Sequence, residues 1–235
     1  MILPGGDGKP EATSTASPAD AVSNRDPTHR TIFWKVCQTL SQMVAKQMFD
    51  FHKFGTRNIP SRGGVLVLSN HQSNLDPPMI GISMRRPMAF LAKSELFENP
   101  ALSWLIRNLN AFPIRQGAGD IGAMRESIRL LQAGWLLNVF PEGSRTPDGE
   151  LKPAQKGSPL LVRRAGVPVV PAVIDGTYDS WPRGQKWPTP RPVSVLFGKP
   201  VELADRKPAD ILKFVDDTFA VMLDDLRAGR VGKYV

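Results

Sequence analysis

Apolar positions along this 235-residue chain change their period twice. Residues 1–30 show no period; they are rich in Pro, Gly, Ser, Thr, Ala and Asp. They cannot bury enough to offset the entropy of ordering, and they read as a disordered tail. From Thr31 to Phe54, Ile32, Phe33, Val36, Leu40, Met43, Val44, Met48, Phe51 and Phe54 recur at three and four, one face of an amphipathic helix or of two short ones. After Gly55 and the turn-forming Asn58 to Gly64, short apolar runs alternate with helical spacing. This predicts strands over 65–68, 88–92, 111–114, 135–140, 168–174 and 193–197, and helices over 77–84, 99–108, 120–133, 157–165 and 208–227. Gly134 and Gly166 stand just past two helices, where a left-handed cap is wanted, and Asp76 precedes Pro77 as an N-cap precedes a first-turn proline. The alternation is α/β, a mostly parallel sheet flanked by helices, with an N-terminal amphipathic helical segment. The division is a tail over 1–30, a helical segment over 31–54 and one domain over 55–235.

Two readings of the helical segment stay open. It packs on the domain, or it is a monotopic anchor lying in a bilayer interface. For the second, Phe33, Trp34, Met43, Phe49 and Phe51 suit insertion, and Lys35, Lys46 and Lys53 suit anionic head groups. No window approaches the ~20 apolar residues of a membrane span, and the first residues lack the basic start and apolar run of a secretory signal.

Composition narrows the partners. Hydrophobic content of 41% and charged content of 22% are those of a globular protein, while a net charge of +8 favours nucleic acid, anionic membrane or phosphorylated substrates. Residues 1–30 hold four acidic and three basic side chains, so the positive charge belongs to the rest. The arginines fall in predicted turns, not in a basic helix or among stacking aromatics, so nucleic acid is not an expected partner. The single cysteine, Cys37, excludes an internal disulfide and fits a reducing compartment. His29, His52 and His71 have no ligand spacing, so no metal is expected.

In such a sheet, sites form where strands end. His71 follows the first predicted strand, Lys93 the second, Arg115 the third and Glu142 to Arg145 the fourth; Pro171 lies within the fifth. A histidine can take a proton from a hydroxyl if a carboxylate in reach fixes its tautomer and stabilises its charged form, and Asp76 stands five residues on. The spacing alone is weak, since Asp76 also reads as a helix cap. Set beside three cations that suit a phosphate, it points to an alcohol activated next to a bound phosphate. There is no Gly-x-Ser-x-Gly elbow.

Asn70-His71-x-x-x-x-Asp76, Phe112-Pro113-Ile114-Arg115, Phe140-Pro141-Glu142-Gly143-Ser144-Arg145 and Val167-Pro168-Val169-Val170-Pro171-Ala172 resemble, in order and spacing, the four blocks of the glycerolipid acyltransferase family, in particular its bacterial 1-acylglycerol-3-phosphate acyltransferases. The resemblance covers about residues 55–200. It implies transfer of a fatty acyl group from an acyl carrier protein or coenzyme A thioester to the sn-2 hydroxyl of lysophosphatidic acid, giving phosphatidic acid, with no other cofactor. His71 would be the general base and Asp76 its orienting acid. Lys93, Arg115, Glu142, Gly143, Ser144 and Arg145 would bind the acceptor's glycerol phosphate, and Pro171 would belong to the acyl-donor region. Backbone N–H groups near Gly143 offer an oxyanion hole. The implied location is the cytoplasmic face of a membrane, held peripherally against anionic lipids. Other acceptors stay open (glycerol 3-phosphate, lysophosphatidylinositol, lipidated amino acids), as do a thioester hydrolase using His71 on water and a membrane-surface protein without activity. Lys152 and Lys156 read as solvated charge or as an addition to the site's basic rim. The Pro-rich loop over 176–192 carries Trp181 and Trp187, suited to covering a site or touching membrane.

Overall fold

The computed structural model describes residues 26–114 and 119–235. Arg115 and nearly all of the predicted tail lie outside the described residues. A helix, α1 (Ile32–Phe49), and a short strand, β1 (His52–Phe54), precede β2 (Val65–Ser69), α2 (Asp76–Ser83), β3 (Met88–Lys93), α3 (Pro100–Asn108), β4 (Ala111–Ile114) and α4 (Gly119–Gln132). Then follow β5 (Leu136–Val139), α5 (Gly157–Ala165), β6 (Val169–Asp175), a single turn α6 (Thr177–Ser180), β7 (Ser194–Phe197) and α7 (Pro208–Arg227).

The strands form one sheet in the order β1-β7-β6-β2-β5-β3-β4. Every neighbouring pair is parallel except β6 with β7. All five residues of β2 are buried, as a strand covered on both faces requires. Alternate side chains sort the core into two layers. Leu66, Leu68, Leu137 and Val173 meet α4, α5 and α7 through Leu130, Leu161, Val215 and Phe219. Val65, Val67, Val170 and Ile174 meet α1 and α2 through Ala45, Phe49, Met79 and Ile80. Truncating any of these buried leucines to alanine costs about 2–5 kcal/mol. Because β2 pairs with β5 on one side and β6 on the other, the chain turns in opposite directions around it. The crevice at its carboxyl end is therefore where such sheets bind ligands.

The N-terminal segment departs from expectation in three ways. Its helix ends at Phe49, because Asp50 takes a left-handed φ of 38°, and His52–Phe54 pairs with β7 in the register His52↔Ser194. Trp34, Phe49 and Phe51, expected as insertion groups, are buried in the protein, while Phe33 packs edge-on against Trp104 of α3. The long apolar stripe faces outward instead, with Ile32 81%, Leu40 57% and Met43 63% exposed, and Val36, Val44 and Met48 beside them. The inward face is held by amides: Gln38 Nε2 donates to Met84 O (2.7 Å) and Gln42 Nε2 to Ile82 O (2.5 Å), at the end of α2. Lys46 is bound by Asp50 (2.6 Å), and Lys53 lies on β1. Among the described residues no helix is long and apolar enough to cross a membrane.

Candidate active site

Asn70 extends β2 by one residue. Its side chain takes the place of a backbone ladder against β6, donating to Ile174 O (2.9 Å) and accepting from Ile174 N (2.8 Å). The next residue, His71, leaves the sheet with its side chain 17% exposed, and Nδ1 donates to Asp76 Oδ2 at 2.7 Å. An ionised carboxylate only accepts, so Nδ1 carries the hydrogen and Nε2 keeps a free lone pair. The ring stacks on Phe140, centroids 3.8 Å apart. That contact blocks one face and fixes the ring's plane.

Asp76 is wholly buried and does not cap its helix as expected: the cap position is Leu75. Its carboxylate folds back instead. Oδ2 accepts from the N–H groups of Gln72 (2.6 Å) and Ser73 (2.7 Å) besides His71, and Oδ1 accepts from the Thr177 hydroxyl (2.5 Å). Four donors balance the cost of burying the charge.

The turn after β5 closes the other side. Gly143 takes a φ of 73°, a left-handed conformation open to glycine, and its N–H donates to Phe140 O (3.1 Å). Thr146 N–H donates to His71 O (2.8 Å). Those two amides are committed within the protein, which removes the Gly143 N–H from the expected oxyanion hole. The turn swings Glu142 inward, where Oε1 accepts from His71 N–H (3.4 Å) and Oε2 is buried without a hydrogen-bond partner. Burial pushes this carboxyl up to about 7, against the opposing pull of the His71 amide and the Lys152 charge.

Two spaces reach the neighbours of the pair, Phe140 and Pro77. A cleft of about 770 Å³ is lined by Leu91, α4, the end of β5, the Glu142–Ser144 turn, Lys152, Lys156 and the start of α5. On the opposite layer an apolar pocket of about 460 Å³, open on one side, is lined by Trp34, Cys37, Pro77, Pro78, Met88, Phe90 and Ala92, among others. The side-chain alternation of β3 divides them, Leu91 facing the cleft while Phe90 and Ala92 face the cavity. Phe140, stacked on His71, lines the cleft, and Pro77, next to Asp76, lines the cavity.

Of the expected site residues, His71, Asp76 and Glu142 are in direct contact. Gly143 and Ser144 line the cleft; Arg145 follows in the same turn, half-buried, and is not among the lining residues. Lys93 closes β3, paired in register with Ile114. Arg115 lies outside the described residues. Pro171 sits apart, buried mid-strand beside Leu68, facing Gly198 and Met222 in a groove against α7. Sequence reasoning passed over Thr177, and it quoted Phe140 only as part of a block, without its contact with His71. Lys152 is not merely solvated charge: it lines the cleft and donates to Ser144 Oγ (2.6 Å). Thr177 stands just past the end of β6 (Val169–Asp175).

Residues 50–175 match the model of the Acyltransferase family. A 1-acyl-sn-glycerol-3-phosphate acyltransferase of Bacillus subtilis is 22% identical over 173 residues, 73% of this chain and 84% of its own. A chloroplastic 1-acyl-sn-glycerol-3-phosphate acyltransferase of Brassica napus is 30% identical over 145 residues, 59% of this chain and 42% of its own. With an Arabidopsis thaliana relative matched over 46% of its length, the chain spans a little under half of these plant relatives. The crystal structure of the 1-acyl-sn-glycerophosphate (LPA) acyltransferase PlsC from Thermotoga maritima superposes with a TM-score of 0.73 at 32% identity, covering 83% of this chain and 79% of that one.

Proposed function

This chain belongs to the acyltransferase family, and from that premise we propose that it transfers a fatty acyl group from an acyl carrier protein or coenzyme A thioester to the sn-2 hydroxyl of lysophosphatidic acid. The observation that carries this reading is the His71–Asp76 pair itself, with its neighbour Phe140 on a cleft that holds Lys152, Lys156 and Ser144 and its neighbour Pro77 on an apolar pocket. His71 Nε2 takes the proton of the glycerol hydroxyl as its oxygen attacks the thioester carbonyl. Asp76 stabilises the imidazolium that forms. The tetrahedral intermediate collapses, the C–S bond breaks, and the imidazolium returns its proton to the departing thiolate. The products are phosphatidic acid and free thiol. The acceptor's phosphate is met on the cleft side by Lys152, Lys156 and Ser144, with Lys93, Arg115 and Arg145 as the cations the motifs supply. The alkyl chain has a compartment of matching character across β3.

The acceptor and the product live in a bilayer, and the outward stripe of α1 supports a peripheral dock on it; anionic lipid and the cytoplasmic face belong to the same proposal. The stripe presents Ile32, Val36, Leu40, Met43, Val44 and Met48 to solvent, an apolar surface that gains by entering a bilayer interface.

The test is thiol release by the purified full chain from acyl carrier protein and coenzyme A thioesters, with a panel of lysophospholipids. Release should require lysophosphatidic acid and yield phosphatidic acid, and His71→Ala should abolish it at unchanged melting temperature. Release without any acceptor would turn the reading to hydrolysis. Retained turnover in His71→Ala would remove the base.

A further inference from the structure

We propose that Thr177 is a positioning residue of the catalytic pair, its hydroxyl fixing the Asp76 carboxylate from the side opposite His71. The inference rests on the reading of His71 as general base. Among the described residues Thr177 is the one donor to Asp76 Oδ1, at 2.5 Å, whereas Oδ2 holds three donors, the His71 ring and the amides of Gln72 and Ser73. With Oδ2 held alone, the carboxyl group can still rotate about its bond to the chain and carry the His71 contact off line. A donor on Oδ1 removes that freedom, because the carboxylate plane is then set by both oxygens. The hydroxyl has a single proton and a second neighbour, Gln72 Oε1 at 3.2 Å; the shorter, charged contact takes the proton.

The surroundings hold Thr177 for this task. It is fully buried, so its hydroxyl has no water to turn to. Gly176 before it takes a φ of 86°, and a Cβ there would meet Pro192 O at 2.0 Å, so the chain can enter the α6 turn in this way only with glycine. Trp181 N–H donates to Thr177 O (2.8 Å), and Ser73 Oγ donates to Trp181 O (2.7 Å), tying the turn to the loop that carries His71. Two segments 101 residues apart thus clamp one carboxylate.

Thr177→Val keeps the shape and removes the hydroxyl; Thr177→Ser keeps the hydroxyl. The expected result is a fall in kcat of roughly 10- to 100-fold for Thr177→Val, the loss of one hydrogen bond to an ion. The KM for lysophosphatidic acid should stay within about twofold, because no substrate group is touched. Thr177→Ser should keep most of the activity. The downfield proton resonance of His71 Nδ1–H should move in Thr177→Val and not in Thr177→Ser, a change that a merely structural role would not produce. The titratable groups facing that ring, Asp76 and Glu142 with Lys152 beyond, are the same in all variants. If Thr177→Val fails to fold, Thr177→Ala against Thr177→Ser decides the same question. Turnover of Thr177→Val within twofold of the parent, with His71→Ala inactive, overturns the positioning role and leaves the base intact. Activity in His71→Ala overturns the base itself.

Discussion

Glu142 is a carboxyl held where water does not reach it, with one oxygen on the His71 amide and the other unpartnered. Its pKa in the folded chain, about 7, stands above the ordinary 4.5. Between those values the unfolded chain has released its proton and the folded chain has not, so rising pH favours unfolding. The cost begins near pH 4.5 and is fully present above about pH 7. Glu142→Gln cannot titrate, so its melting temperature relative to the parent should rise as pH goes from about 4.5 to about 8. A difference that stays flat across that range would show that the carboxyl titrates as it does in water. At this scale the sequence was informative where a role depends on neighbours along the chain. His71 and Asp76 were legible because five residues separate them and a strand ends just before. Thr177 and Phe140 act on that pair across the sheet, and no local spacing records a contact made by folding. Asp76 was visible as a helix-start residue, yet its carboxylate answers to four donors upstream and across, not to its own helix.

The element whose meaning changed most is α1. Its apolar positions at three and four were legible, but a period does not say which side faces the protein. Here the inward side carries Gln38 and Gln42 on the last carbonyls of α2, with Trp34, Ala45 and Phe49 as its apolar contacts. Phe51 and Phe54 prolonged the spacing past the real end because a strand's flank and a helix's face can both place aromatic residues three apart. The orientation separates two properties that usually change together. Leu40→Asp with Met43→Asp alters side chains 57% and 63% exposed, so the melting temperature should move by less than about 1 kcal/mol equivalent. Cosedimentation with anionic vesicles should fall by about tenfold or more, since two charges replace apolar groups in the interface. Unchanged cosedimentation would take the stripe out of the contact. Gln42→Ala should do the reverse, loosening the seat of α1 by about 1 kcal/mol while leaving the stripe's chemistry intact.

At the scale of the whole molecule, the sheet works as a partition. The α/β class and its mostly parallel sheet follow from the alternation and were within reach of the sequence; the strand order around β2 was not, because it depends on which strands pair after folding. The partition was not, because it depends on which face each β3 residue takes and on what covers that face: Leu91 opens on a cleft with Lys152 and Lys156, Phe90 and Ala92 on an apolar pocket beside α1. A substrate that spans both must arrive with its chain in an apolar phase and its head in water, which is how a lysolipid lies in a bilayer. On the proposed reading, docking on a membrane has two independent sources, the stripe and the net charge of +8. The charge term is screened over about 8 Å at 0.15 M salt and about 3 Å at 1 M, while burial of apolar surface is not weakened by salt. Binding of the parent chain to anionic vesicles should therefore fall with salt to a plateau above zero. The Leu40→Asp, Met43→Asp variant should fall to none, and the parent on uncharged vesicles should sit near the plateau at every salt concentration. A parent curve that reaches zero at 1 M salt would mean that charge alone holds the molecule to the surface, and the chain of the substrate would then have to cross water to reach the cavity.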